Sequence, residues 1–260
     1  MILQNCRKTF DELVLYLGEF YTFTVSTFYW SVQKPFRFRL FIEQFNRIGV
    51  DSIPIIALVS LFTGMVFSLQ STYAFRLFNA ETMVGSVVGM SLAREIAPVF
   101  AALMVTARMG SAIAAELGTM KVTEQIDALH AMAVYPQQYL VVPRVVSAML
   151  MLPLLTVIFN FIGMVGAYLV AIFLMHIPEG PFLYRLQQFV EPKDIIGGIL
   201  KAVFFGLIVG LISCFEGFRT SNGAKGVGIS TTRAVVISSV TVLIVDYFLT
   251  QIILEYFHGH

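Results

Sequence analysis

Five stretches of about 20 apolar residues, nearly free of charge, constrain this chain more than any other feature. Only a helix or a closed barrel can cross the hydrocarbon core of a bilayer, because no water there satisfies an open backbone. The stretches fall at about 52–73, 84–107, 145–175, 195–215 and 235–256. The first reads SIPIIALVSLFTGMVFSLQSTY, and the third is long enough to tilt or to extend past the bilayer. Charged residues make up 13% of the chain, where a soluble globule carries about a quarter. The expected fold class is an all-α integral membrane protein, with a five-helix domain over 50–260.

Residues 1–49 form a separate N-terminal region with two weaker helical stretches. The first, 10–32, is rich in aromatics but interrupted by Asp11, Glu12 and Glu19. Its aromatics suit either a sixth span or a helix in the interface. The second, 36–48 (FRFRLFIEQFNRI), mixes Arg37, Arg39, Glu43 and Arg47 with Phe36, Leu40, Phe41 and Phe45. Such a mixture lies in the interface, with its apolar face in the acyl boundary. The expected arrangement is interfacial for both. No compact apolar core precedes a small-residue cleavage site, so a cleaved signal peptide is not expected.

Orientation follows from the basic residues of the short loops. Arg7, Lys8, Lys34, Arg37, Arg39, Arg47, Arg108, Lys121, Arg144, Arg219, Lys225 and Arg233 fall on one side. Only Arg76, Arg185 and Lys193 fall on the other. The N-terminus is expected in the cytoplasm, and five spans then place His258–His260 outside. The longest outer loop, 176–194, holds three prolines and room for a short helix near 182–190.

Several function classes drop out. A net charge of +1 gives no electrostatic case for nucleic acid. Cys6 and Cys214 make no disulfide framework, and His130, His176, His258 and His260 have no metal-ligand spacing. NGAKG at 222–226 has neither the spacing nor the Ser/Thr of a phosphate loop, so this chain is not its own ATPase by that mechanism. No inverted repeat of the kind found in many secondary transporters is visible.

Between the second and third spans lies ARMGSAIAAELGTMKVTEQIDALHAMAVYP. Glu116, Thr119, Thr123, Asp127 and His130 recur at steps of three and four, and Gly118, Val122, Ile126, Leu129 and Ala133 form a second, apolar stripe. One helix is expected, ending before Pro136. It suits docking to a soluble partner and resting on headgroups equally.

The stretch GSAIAAELGTMKVTEQIDAL and the turn after it closely resemble the signature of the MlaE family of permeases, membrane subunits of ABC-type lipid transporters associated with MCE proteins. GMVFSLQ (64–70), NAETMVG (79–85), SLAREIAPVFAAL (91–103), PRVVSAMLMLPLL (143–155) and ISTTRAVVISS (229–239) extend the resemblance over about 44–256. It implies a homodimer in the bacterial inner membrane, carrying two cytoplasmic ABC ATPase subunits and a periplasmic ring of MlaD-like MCE subunits. It implies phospholipid as cargo and outer-membrane lipid homeostasis as the purpose. ATP and magnesium would sit on the partner ATPase, and this chain would bind no cofactor itself. The loop helix resembles a coupling helix, with Glu116, Lys121, Thr123, Glu124, Gln125 and Asp127 at the ATPase.

Arg94, Glu95, Lys201 and Asp246 lie within spans, where an ion at the bilayer centre costs at least about 2.5–3.5 kcal/mol. They suit either a buried salt-bridge network, with Lys201 on Asp246, or a ligand site. Adjacent helical residues diverge by about 100°, so Arg94 and Glu95 are not expected to face one direction. The planar fork of arginine suits phosphate. Arg94 is expected on lipid phosphate, with Glu95 and Lys201 tuning the site and Asp246 and Arg233 in a structural charge network. Given the resemblance, Leu69, Gln70, Tyr73, Phe75 and Phe78 are expected to line an acyl-chain pocket. Gly206 and Gly210, and Gly163 and Gly166, mark close helix approach, within the subunit or across a dimer. Two other mechanisms fit these residues: an ion-coupled carrier using Glu95 or Asp246 as proton relay, and a lipid-modifying membrane enzyme, which lacks a nucleophile or metal cluster.

Overall fold

The computed structural model describes the backbone of residues 2–34 and 37–258, and the side chains of 11, 12, 14–34 and 37–256. The side chains of Cys6, Arg7, Lys8, Phe36, His258 and His260 lie outside the described residues. Every regular element among the described residues is helical.

Helices α1 (Ile2–Val32) and α2 (Phe38–Ile48) precede α3 (Ile53–Arg76). The second span is one continuous helical segment, Glu81–Val122. It consists of α4 (Val84–Ser91), α5 (Ala97–Val105) and α6 (Ser111–Val122), joined by two π-type turns. Short α7 (Gln125–Ala131) leads to α8 (Val142–Leu169), α9 (Glu179–Phe189), α10 (Pro192–Phe218) and α11 (Gly223–His258). Five helices are long and apolar enough to span a bilayer: Phe38–Arg76, Glu81–Val122, Gln137–Leu174, Pro192–Phe218 and Gly223–Tyr256. This is a multi-pass, all-α membrane protein.

Helix α8 is central, packed between α3 and α10; α10 then packs on α11, α5 and α6. Apolar side chains gain little by leaving lipid for one another, so backbone proximity and interlocking must hold such a bundle. A Cβ on Gly64 would lie 1.9 Å from the Gly163 carbonyl oxygen, and one on Gly206 would lie 2.4 Å from that of Ala148. Gly206 and Gly210 therefore face α8 of the same chain, not a surface left for a second copy.

Helix α1 is outside the five spanning helices. Tyr16 donates to Glu216 Oε1 (2.7 Å), and Arg219 pairs with Glu19 (2.9 Å), both at the last turn of α10. Burial, then that hydrogen bond, raises the Tyr16 pKa, so its proton stays to be donated. Trp30 stacks on Tyr135, 4.1 Å between centroids. Residues 16 and 30 thus both touch the end of the bundle where the second span meets α7, so α1 runs across that end. Helix α2 packs on α8 with Gln44 and Ile48 buried and Phe38 and Ile42 exposed.

The single loop helix expected from periodicity is broken. Glu124 has φ 59°, a left-handed conformation, and separates α6 from α7. The polar and apolar stripes therefore belong to two helices. Gly118 is buried against Thr220 at the end of α10, and Ile126 is buried in α7. Lys121 pairs with Asp127 (3.0 Å) across the elbow.

Candidate functional site

Serine, leucine and alanine at 91–93 continue the helix, but at Leu92–Ile96 the ladder widens into a π-type turn. Pro98 stands just beyond it. A proline lacks the N–H that would bond the carbonyl four residues back, here that of Arg94. Lys201 Nζ uses that freed oxygen at 3.2 Å. Its approach depends on Gly198, one turn earlier on α10, because a Cβ there would lie 2.2 Å from the Ala93 carbonyl oxygen.

Lys201 is 2% exposed and organises three helices. Its amine meets Glu95 Oε2 at 2.5 Å, Thr250 Oγ1 at 2.7 Å and Asp246 Oδ1 at 3.1 Å. An ammonium has three N–H groups, and the Arg94 carbonyl, Glu95 and Thr250 take them. Asp246 Oδ1 accordingly has the charge contact but no hydrogen bond. Thr250 also lies 3.2 Å from Glu95 Oε2.

Arg94 Nε donates to Asp194 Oδ1 at 2.8 Å. Asp194 is fixed by a capping box at the start of α10: its Oδ2 accepts from the Glu191 N–H at 3.0 Å. Asp194 is the third residue of α10, and Lys201 lies nine residues past Pro192, about 14 Å along the axis. The cluster thus reaches from the first turn of α10 to about 14 Å along it, in the half of that helix nearer α9.

Arg94 and Glu95 line the same small open cleft, with Lys193, Asp194, Gly197, Gly198, Lys201, Thr250, Ile253 and Leu254. Neighbouring side chains still diverge in a π-type turn, but both reach α10, Arg94 at Asp194 and Glu95 at Lys201, and so border one cleft. Both are partly open: 30% of the Arg94 side chain and 41% of that of Glu95 are exposed.

Other expected residues lie elsewhere. Arg233 is exposed, 13 residues from Asp246 on α11, about 20 Å away, so the two share no network. It is instead near enough to Tyr16 to lower that pKa in part. Leu69 and Phe75 are partly buried, and Gln70, Tyr73 and Phe78 are exposed on α3 and the turn after it; none lines the charged cleft. Glu116 is partly exposed and pairs with buried Arg144 (3.1 Å) and with Arg47 (3.1 Å). Thr123, Glu124, Gln125 and Asp127 are exposed at the elbow and Lys121 is partly so. No group of metal-ligating residues occurs among the described residues.

Sequence reasoning missed Asp194, Thr250 and Gly198. The run Glu191-Pro192-Lys193-Asp194 does carry a helix-start signature, which places Asp194 in the first turn of the fourth span rather than in a loop. Thr250 and Gly198 have no comparable local signature.

A second small cleft lies between α1, α2 and the start of the third span and is lined by Trp30, Arg37 and Tyr139 among others. It contains none of the embedded charges. A third lies at the second π-type turn, Thr106–Gly110, beside Arg47, Arg108 and Glu116.

Residues 41–252 match the family model described as Permease MlaE. A Rickettsia bellii protein named probable ABC transporter permease protein is 41% identical over 251 residues, 96% of this chain and 97% of that protein. The Haemophilus influenzae protein named intermembrane phospholipid transport system permease protein MlaE is 40% identical, covering 83% of each chain. A chloroplastic Arabidopsis thaliana protein, Trigalactosyldiacylglycerol 1, is 38% identical over 81% of this chain and 60% of its own.

Proposed function

The chain belongs to the MlaE permease family, and from that premise we propose that it is the membrane subunit of an ATP-driven transporter moving phospholipid between the bacterial inner membrane and a periplasmic MCE pathway. The observation that carries the lipid reading is the cleft over Arg94 and Glu95. It has fixed charges at its floor and apolar Ile253 and Leu254 in its wall, matching the two ends of an amphiphile. Arg94 holds the phosphate, Glu95 and Lys201 set its position, and Asp194 and Asp246 hold the two cations in place.

The chain works as a homodimer, with its N-terminus in the cytoplasm and its C-terminus in the periplasm. Exposed apolar residues on α11 (Val240, Leu243, Tyr247) and on α3 (Phe62, Val66, Tyr73) offer surfaces that a second copy or lipid can cover. Gln70, Tyr73 and Phe78 reach acyl chains only in a cavity completed by that copy. MlaD-like MCE subunits receive or deliver lipid at the α9 end, where the charged cleft opens.

ATP and magnesium sit on a separate ABC ATPase, docked at the elbow through Lys121, Thr123, Glu124, Gln125 and Asp127. The segment from Val122 to Arg94 is one continuous helix of 28 steps, about 42 Å long. A push at the elbow therefore moves the π-type turn that bears Arg94 and Glu95, changing the shape of the cleft. The chain itself is not an enzyme.

The sharing of one ammonium by Glu95 and Asp246 favours a second reading, an ion-coupled carrier in which these carboxylates relay protons. Affinity purification from native membrane in mild detergent, with mass spectrometry of protein and lipid, separates the two. Recovery of a Walker-type ATPase, an MCE-domain protein and stoichiometric phospholipid is expected. Recovery of the chain alone, with no enriched lipid, would reject the permease reading in favour of the carrier.

A further inference from the structure

We propose that the Arg94–Glu95 cleft selects phospholipids whose headgroup carries an ammonium with an N–H to donate, and that Glu95 is the group that accepts it. This rests on the reading of Arg94 as the phosphate contact. Five embedded side chains surround the site: Arg94 and Lys201 are cations, and Glu95, Asp194 and Asp246 are carboxylates. Two positive and three negative charges leave one excess negative charge, and Lys193 is neutralised by Glu191 at 2.7 Å. A phosphodiester arriving alone adds another negative charge in a medium that penalises net charge. A headgroup that brings its own cation does not.

Of the three carboxylates, only Glu95 is placed to meet that cation. The Asp194 side chain is 1% exposed and that of Asp246 19%, against 41% for Glu95. Glu95 Oε2 is occupied by Lys201 and Thr250, whereas Oε1 has no partner among the described residues. The π-type turn sets Arg94 and Glu95 as immediate neighbours on one cleft. A phosphate and an ammonium separated by two carbons bridge such a pair. A glycerol headgroup has no cation, a serine headgroup adds a carboxylate, and a trimethylated amine has no N–H to donate.

The test exchanges the purified full-length chain, in whatever complex it is recovered, against vesicles equimolar in phosphatidylethanolamine and phosphatidylglycerol with matched acyl chains. Bound lipid is then counted by mass spectrometry. For a partly exposed charge contact, enrichment of ethanolamine lipid by about threefold over the vesicle ratio is expected. Glu95→Gln should return the ratio to that of the vesicles. A measurement without any variant uses phosphatidylethanolamine carrying one, two and three N-methyl groups, and enrichment should be lost at the third. Equal binding of both headgroups by the unaltered chain, a preference for phosphatidylglycerol, or full enrichment of the trimethylated lipid would overturn the proposal. In each of those cases bound lipid lost on Arg94→Ala would still uphold the phosphate reading. Lipid retained in full by Arg94→Ala would instead reject that reading. Millimolar glycerophosphoethanolamine should not displace the lipid; displacement would assign the site to the free diester and overturn its assignment to a lipid headgroup.

Discussion

The second span carries two π-type turns, Leu92–Ile96 and Thr106–Gly110, and each presents an arginine of similar exposure, 30% for Arg94 and 33% for Arg108. Their surroundings differ. Arg108 donates to the Arg47 carbonyl (3.1 Å) and to Ser52 Oγ (2.8 Å) and lies 3.5 Å from Asp51, so it braces the corner between α2 and α3. Arg94 sits beside a lysine of α10 that is 2% exposed and bound by groups from α11 and the turn itself. One turn fastens neighbouring backbone at a partly solvated corner. The other gathers charge from distant parts of the chain around an open cleft. A widened helical turn is therefore a tool for aiming side chains, and what it serves depends on what the neighbouring helices bring to it.

The comparison breaks most severely at Lys201. Lys201→Met should strand Glu95 and Asp246 and cost about 3–5 kcal/mol, the scale for removing one member of a buried charge group. The measurement is thermal unfolding in detergent, and unchanged stability would mean that the lysine does not organise the cluster. Next in size, Arg94→Ala should lower retained phospholipid about tenfold to a hundredfold, as expected for loss of a charged hydrogen-bonded contact. Lipid counted per protein checks this, with assembly monitored by size-exclusion chromatography; loss of assembly would favour a purely structural role. At the other turn, Glu116→Gln should cost about 1–3 kcal/mol, because Arg144 is only 5% exposed and would lose its carboxylate. Thermal unfolding at equal lipid content reads it. Smallest of all, Arg108→Ala should cost about 1 kcal/mol or less, since its ion pair is partly solvated. It should leave lipid retention unchanged, and a drop matching that of Arg94→Ala would erase the distinction between the turns.

The spans were legible because a bilayer demands one local property, about 20 apolar residues, and sequence displays it directly. Arg94, Glu95, Lys201 and Asp246 stood out for the same reason, as exceptions within those runs. Their pairing was less legible. Lys201 meets Asp246 as one reading of the charges required, but the partner of Arg94 is Asp194, which apolar runs alone assign to a loop. The π-type turn is set by tertiary fit, with only Pro98 marking its place, so the shared cleft of Arg94 and Glu95 went unforeseen. Periodicity also misjudged the elbow, since nothing in Glu124 announces a positive φ. Continuous three- and four-residue spacing survived across a break in the helix that carries it. Glu116 belonged by spacing to the exposed stripe and is partly exposed, but spacing gave no sign that two arginines from other helices pair with it.

Photocrosslinking tests most directly the claim that the first turn, and not the second, holds lipid phosphate. A photoreactive benzoylphenylalanine replaces Leu254 in the wall of the charged cleft, and irradiation follows in membranes containing radiolabelled phospholipid. The expected result is a lipid adduct that disappears when Arg94→Ala is added and persists with Arg108→Ala. An adduct indifferent to Arg94→Ala, or abolished equally by both substitutions, would contradict the account.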